Sequence, residues 1–147
     1  MPHCTSSSTS SAGRGASAPE ARGEIVMLDM LKSLFGRRGA HASPQEAVAC
    51  LNRGAALVDV REQGEFARGH VRGALNIPLG ELRAGGTALL DARLPAGTHE
   101  VVLVCQSGMR SRVAQAILSG DPARTYLNLA GGMAAWQSHG LPIVRHD

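Results

Sequence analysis

The sequence predicts an α/β domain with a mainly parallel sheet. Three observations carry this. Val101-Val102-Leu103-Val104 is a wholly apolar, mostly β-branched run, as buried strands are. It leads through Cys105 and a short loop into Val113-Ala114-Gln115-Ala116-Ile117-Leu118, whose apolar residues fall at helical spacing. The same alternation recurs on either side, and strands alternating with helices indicate parallel pairing.

In chain order, residues 1–23 are rich in Ser, Gly and Ala and are expected to be a disordered tail, because they offer too little apolar surface to offset chain entropy. They contain no apolar signal-peptide core, so no secretory signal is expected in them. Their Ser and Arg content weakly resembles an organelle transit peptide; a spare tail, or translation starting at Met27 or Met30, are the other readings. Over 24–42, Leu28, Leu31 and Phe35 share a face of a short amphipathic helix, followed by a joint at Gly36 and Gly39. Two readings of this helix stand: a partner- or interface-binding element, or a helix folded onto its own domain. It is too short to span a bilayer.

The folded domain is read as 43–147. Ser43-Pro44-Gln45-Glu46 starts a helix with a cap, an N-terminal proline and a capping box. The helix stops near Gly54, and Cys50 on it reads as core. Ala55–Val60 is a buried strand, Arg61–Phe66 a short helix, and Ala74–Ile77 a strand ended by Pro78. Residues 80–94 are loosely helical, interrupted at Gly85-Gly86. Thr125–Leu129 is the last strand, and Gly131-Gly132 opens a final helix that ends at Gly140.

Charge and cysteine usage narrow the function classes. From Ser43 onward ten Arg face nine Asp and Glu, so the domain is nearly neutral and has no nucleic-acid footprint. The three cysteines, Cys4, Cys50 and Cys105, form no CxxC pair and are odd in number, which argues for a reducing compartment and a cytoplasmic protein. No His and Cys share zinc-ligand spacing, so no metal site is expected.

Cys105 is the candidate nucleophile. It stands where a strand ends and a helix begins, so unpaired N–H groups and the helix dipole favour an anion there. Gly108 permits a curled loop whose amides point inward, and Arg110 adds positive charge. These features predict a lowered thiol pKa.

Asp59-Val60-Arg61-Glu62, Glu65-Phe66, Gly69-His70-Val71, Gly73-Ala74 and Asn76-Ile77-Pro78 resemble the first half of a single-domain rhodanese. The loop Cys105-Gln106-Ser107-Gly108-Met109-Arg110-Ser111 resembles that family's active-site loop, and Leu129-Ala130-Gly131-Gly132-Met133 through Trp136 its closing motif. The resemblance runs from about Ser43 to Val144. It implies a five-stranded, mostly parallel sheet with helices on both faces. It also implies a sulfurtransferase that moves a sulfane sulfur from a donor such as thiosulfate to a thiol or cyanide, or to a protein acceptor. The sulfur would ride as a persulfide on Cys105, with Gln106 to Ser111 binding the substrate and no other cofactor.

Asp59 and Arg61 are expected to pair and fix loops around the mouth. Glu65 is read either as balancing Arg110 or as a surface charge, and His70 as a packing contact. Two alternatives are kept: a sulfur relay or partner-binding module that works only when docked, and, less favoured, a Cys-based phosphatase. Phosphatases of that type place five residues between Cys and Arg, whereas Cys105 and Arg110 enclose four. The neutral Gln106 departs from thiosulfate-preferring members, which place a basic residue there, and predicts modest turnover on thiosulfate.

Overall fold

The computed structural model describes residues 40–145. The tail, the amphipathic helix over 24–35 and Cys4 lie outside the described residues. Five strands form one sheet: β1 (His41–Ala42), β2 (Ala56–Asp59), β3 (Leu75–Asn76), β4 (Glu100–Val104) and β5 (Thr125–Leu129). Their order is β1-β5-β4-β2-β3, and every pair is parallel. The helices are α1 (Pro44–Asn52), α2 (Gln63–Ala67), α3 (Leu79–Arg93), α4 (Met109–Ile117) and α5 (Gly132–Ser138).

Burial on both faces explains the unbroken apolar run of β4, because side chains alternate across a strand. Val102 and Val104 pack with Ala47 and Cys50 of α1 and Met133 and Trp136 of α5. Val101 and Leu103 face the other way, onto Leu82 and Leu90 of α3 and Ala114 of α4, with Leu118 just beyond it. The capping box forms as the sequence predicts: Glu46 N–H donates to Ser43 Oγ at 3.1 Å, and Ser43 N–H donates to Glu46 Oε1 at 2.8 Å. The segment Leu79–Arg93 breaks at Gly86, whose φ is 59°.

One strand escapes the reading of the residues. His41 and Ala42, placed in the joint before the domain, form β1 at the sheet edge beside Asn128 and Leu129. Two residues carry no periodicity to detect. Their register is set from elsewhere: the buried amide of Gln115 donates to Ala40 O at 2.7 Å and to Tyr126 O at 2.9 Å.

The topology also places a site. From β2 the chain moves outward to β3, whereas from β4 it moves the other way to β5. The carboxyl ends of β2 and β4 therefore flank a switch point, where open α/β sheets leave a crevice. Arg61 follows β2 there and Cys105 follows β4.

Candidate active site

Cys105 closes β4 and is 1 % exposed. The chain then curls to Gly108, which caps α4 with φ of 104°. That left-handed value costs a residue with a Cβ about 1–2 kcal/mol. The curl turns main-chain donors toward the sulfur. Gly108 N–H donates to Cys105 Sγ at 3.1 Å, Ser111 N–H at 3.4 Å, and the Ser111 hydroxyl also lies 3.4 Å from it. Burial pushes the Cys105 thiol up. The Ser111 hydroxyl and the N–H groups of Ser111, Gly108 and Ser107 outweigh burial, and the net direction is down.

Cys50 provides the contrast. It is also buried, but burial and the nearby Glu100 carboxylate push its thiol up against the opposing Arg53 guanidinium. Two buried cysteines thus differ in direction because only one has converging amide donors.

The predicted site residues divide into three groups. Gly108 and Ser111 touch the sulfur, and Ser107 contributes its N–H. Gln106 and Met109 form the exposed rim, Met109 being 73 % exposed. Arg110 is turned to Glu65 of α2 in a two-pronged ion pair of 2.7 and 3.0 Å. That pairing is one of the two readings given for Glu65; it commits the hydrogen bonds of the guanidinium to a carboxylate, while the Arg110 charge still acts on Cys105. The hydrogen bonds from Arg110 bring the Glu65 carboxyl down to about 2.

Asp59 and Arg61 form a buried pair. Arg61 Nε donates to both Asp59 carboxylate oxygens, at 3.0 and 3.1 Å, and Nη2 donates to Asp59 Oδ2 at 2.8 Å and to Gly69 O at 2.7 Å. Nη1 reaches Gln106 Oε1 at 3.4 Å. The β2 loop is thereby tied to the α2–β3 connection and to the rim of the cysteine loop. His70 is buried, stacks on Phe66 with ring centroids 3.7 Å apart, and places Nδ1 2.7 Å from Phe66 O. The Trp136 indole N–H donates to Pro142 O at 2.9 Å.

The reading of the residues missed two parts of the site. Asn128 of β5 is buried beneath the loop. Its Oδ1 accepts from the Ser111 hydroxyl, and its Nδ2 donates to Gly108 O at 3.3 Å. It therefore clamps Gly108 and Ser111, two of the residues that donate to the sulfur. The available signal was a polar residue inside the otherwise apolar run Tyr126-Leu127-Asn128-Leu129. The second part is the start of α5, which supports the loop from behind. Met133 N–H donates to Cys105 O at 2.8 Å, and Ala134 N–H to Gln106 O at 3.1 Å. Among the described residues no group of three or more His, Cys, Asp or Glu is placed to hold a metal ion. No helix there is long and apolar enough to cross a membrane.

A model of the Rhodanese-like domain matches residues 43–139. The chain belongs to the rhodanese family. Among its relatives, a sulfurtransferase of Allochromatium vinosum is 39% identical over 88 residues, spanning 60% of this chain and 77% of that protein. Thiosulfate sulfurtransferase 18 of Arabidopsis thaliana is 32% identical over 106 residues, spanning 67% of this chain and 78% of that one. Among solved structures, the human single domain sulfurtransferase TSTD1 superposes with a TM-score of 0.57 at 32% identity, covering 67% of this chain and 95% of the human one. The parallel five-stranded sheet with helices on both faces is the rhodanese-like fold.

Proposed function

We propose that this rhodanese-family chain is a sulfurtransferase whose Cys105 carries the transferred sulfur as a persulfide. The observation that carries the reading is the convergence of Gly108 N–H, Ser111 N–H and the Ser111 hydroxyl on one buried sulfur. Donors so placed stabilise a thiolate before attack and a sulfur anion after it. The Cys105 thiolate attacks the outer sulfur of the donor. A new S–S bond forms, the donor's S–S bond breaks, and sulfite leaves with the bonding pair when thiosulfate is the donor. A thiol or cyanide then takes the outer sulfur, and the electron pair of the broken bond returns to Cys105. The four-residue spacing between Cys105 and Arg110 suits a single sulfur better than a phosphate.

Thiosulfate is a modest donor in this reading. Its sulfonate meets a neutral Gln106 and an Arg110 already committed to Glu65. The same observation favours the second reading, a sulfur relay loaded by a persulfide or by another protein.

The test is the intact mass after incubation with thiosulfate or with a low-molecular-weight persulfide, with Cys105→Ser in parallel. The expected result is one added sulfur, removed by cyanide and absent in the variant. Loading by the persulfide alone selects the relay. Loading by neither overturns sulfur transfer at Cys105.

A further inference from the structure

The short edge strand β1 brings one side chain to the back of the cysteine loop. His41 pairs in register with Asn128 of β5, so their side chains stand next to each other on one face of the sheet. Ala42 and Leu129 turn to the other face, into the core with α1 and α5. Asn128 is 2 % exposed and Ser111 is fully buried, whereas His41 is exposed.

The hydrogen bonds around Asn128 fix which way its amide faces. A side-chain amide has two N–H donors on nitrogen and an acceptor oxygen. Asn128 Nδ2 donates to Gly108 O at 3.3 Å and to His41 Nδ1 at 3.3 Å, and Oδ1 accepts from the Ser111 hydroxyl. Nδ2 only donates, so His41 Nδ1 is the acceptor and the ring proton sits on Nε2. Turned over, the amide would set Oδ1 against Gly108 O, two acceptors face to face. The residues held by this amide lead straight to the nucleophile: Gly108 N–H lies 3.1 Å from Cys105 Sγ and the Ser111 hydroxyl 3.4 Å from it. An exposed imidazole is thus linked through Asn128 to two of the donors on a buried sulfur.

We propose that His41 is a positioning residue for the nucleophile, holding the Asn128 amide in the orientation that keeps Gly108 and Ser111 on Cys105 Sγ. Without an acceptor at position 41, one N–H of a buried amide has no partner, and an unmet buried donor costs more than the bond was worth. The amide relieves that cost by turning, which draws it away from Gly108 O and Ser111. The donors then drift from the sulfur and the thiol moves up toward its ordinary range. The inference rests on the sulfurtransferase reading for what the thiol does, whereas its test reads the thiol alone. A chain that takes up no sulfur overturns that reading; the alkylation curves decide this one.

The experiment follows alkylation of Cys105 against pH in the full chain, resolved by peptide mass so that Cys50 is read in the same sample. His41→Leu fills a similar volume without an acceptor, and His41→Asn returns an acceptor at about the reach of Nδ1. The His41→Leu curve is expected to lie at higher pH than that of the wild type. Its rate at pH 7 should be about twofold lower, the low end for one long neutral hydrogen bond. His41→Asn is expected to follow the wild-type curve, and Cys50 to react at an unchanged rate in both variants. On an Asn128→Ala background His41→Leu should add nothing, because the link it breaks is already gone. Superimposable His41→Leu and wild-type curves overturn the proposal. So does a His41→Asn curve displaced as far as that of His41→Leu, or a full His41→Leu effect in the absence of Asn128. Faster alkylation of Cys50 in His41→Leu overturns it as well, since the substitution then loosens the fold at large.

Discussion

Gly132 lies against the carbonyl of Cys105: a Cβ on Gly132 would stand 2.3 Å from Cys105 O and 2.7 Å from Gln106 O. Its φ is also positive, at 60°. The first turn of α5 can then press against the cysteine loop, and Met133 and Ala134 donate to the same two carbonyls. Gly132→Ala is therefore expected to cost at least about 2 kcal/mol in denaturant unfolding, from backbone strain and overlap together. It is also expected to return the Cys105 thiol toward the ordinary range. Gly140→Ala is the control, since Gly140 has φ of 74° but open space around it. It should lose some stability and leave the thiol alone. A Gly132→Ala protein with native stability would refute the support role.

Ser111→Ala removes the hydroxyl shared between Cys105 Sγ and Asn128 Oδ1. That hydroxyl heads the group of donors that brings the thiol down against burial. The alkylation rate of the wild-type chain should rise with pH and level off below the ordinary thiol range of about 8.5. In Ser111→Ala the curve is expected to move upward in pH. At pH 7 the rate should fall roughly fivefold, about 1 kcal/mol for one long hydrogen bond to a charged sulfur. Superimposable curves would show that the main-chain donors suffice alone.

The Arg110–Glu65 pair predicts a pH response. The folded state holds the Glu65 carboxyl at about 2, below its ordinary value of 4.5. A depressed acid stabilises the fold above the ordinary value and loses that increment as pH falls toward and through the folded one. The wild-type chain should therefore shed this increment between about pH 4.5 and 2, and Glu65→Gln should show a flatter decline across that window. The increment at neutral pH is about 1 kcal/mol at most, because Arg110 is more than a third exposed and solvent screens the pair. Equal acid unfolding curves would sink this account.

Asp59→Ala leaves the Arg61 guanidinium buried without its counter-charge. The expected loss is about 3–5 kcal/mol in a denaturant midpoint measurement. Asp59→Ala combined with Arg61→Met should recover part of it, since the uncompensated charge is then gone. If the double variant is as unstable as the single one, the loops are held mainly by the contact of Arg61 with Gly69 O.

The sequence alone was enough for the α/β alternation, four of the five strands, the capped first helix, the break at Gly85-Gly86 and the prominence of Cys105. Each of these is a local property: an apolar run, a helical period, a cap, or a glycine before a helix. Sequence also separated Cys105 from Cys50, because only Cys105 sits between a strand and a helix start. What stayed out of reach depends on residues far apart in the chain. The two-residue β1 exists because Gln115 and Asn128 hold its neighbours in register. The buried Asn128 became a clamp only when β5 was set beneath the loop. The sequence left Glu65 open between balancing Arg110 and standing as a surface charge; folding brings the two together across forty-five residues. Charge along a chain shows which groups are available; three-dimensional packing decides which of them meet, because an ion pair forms only where the fold brings the two groups into contact.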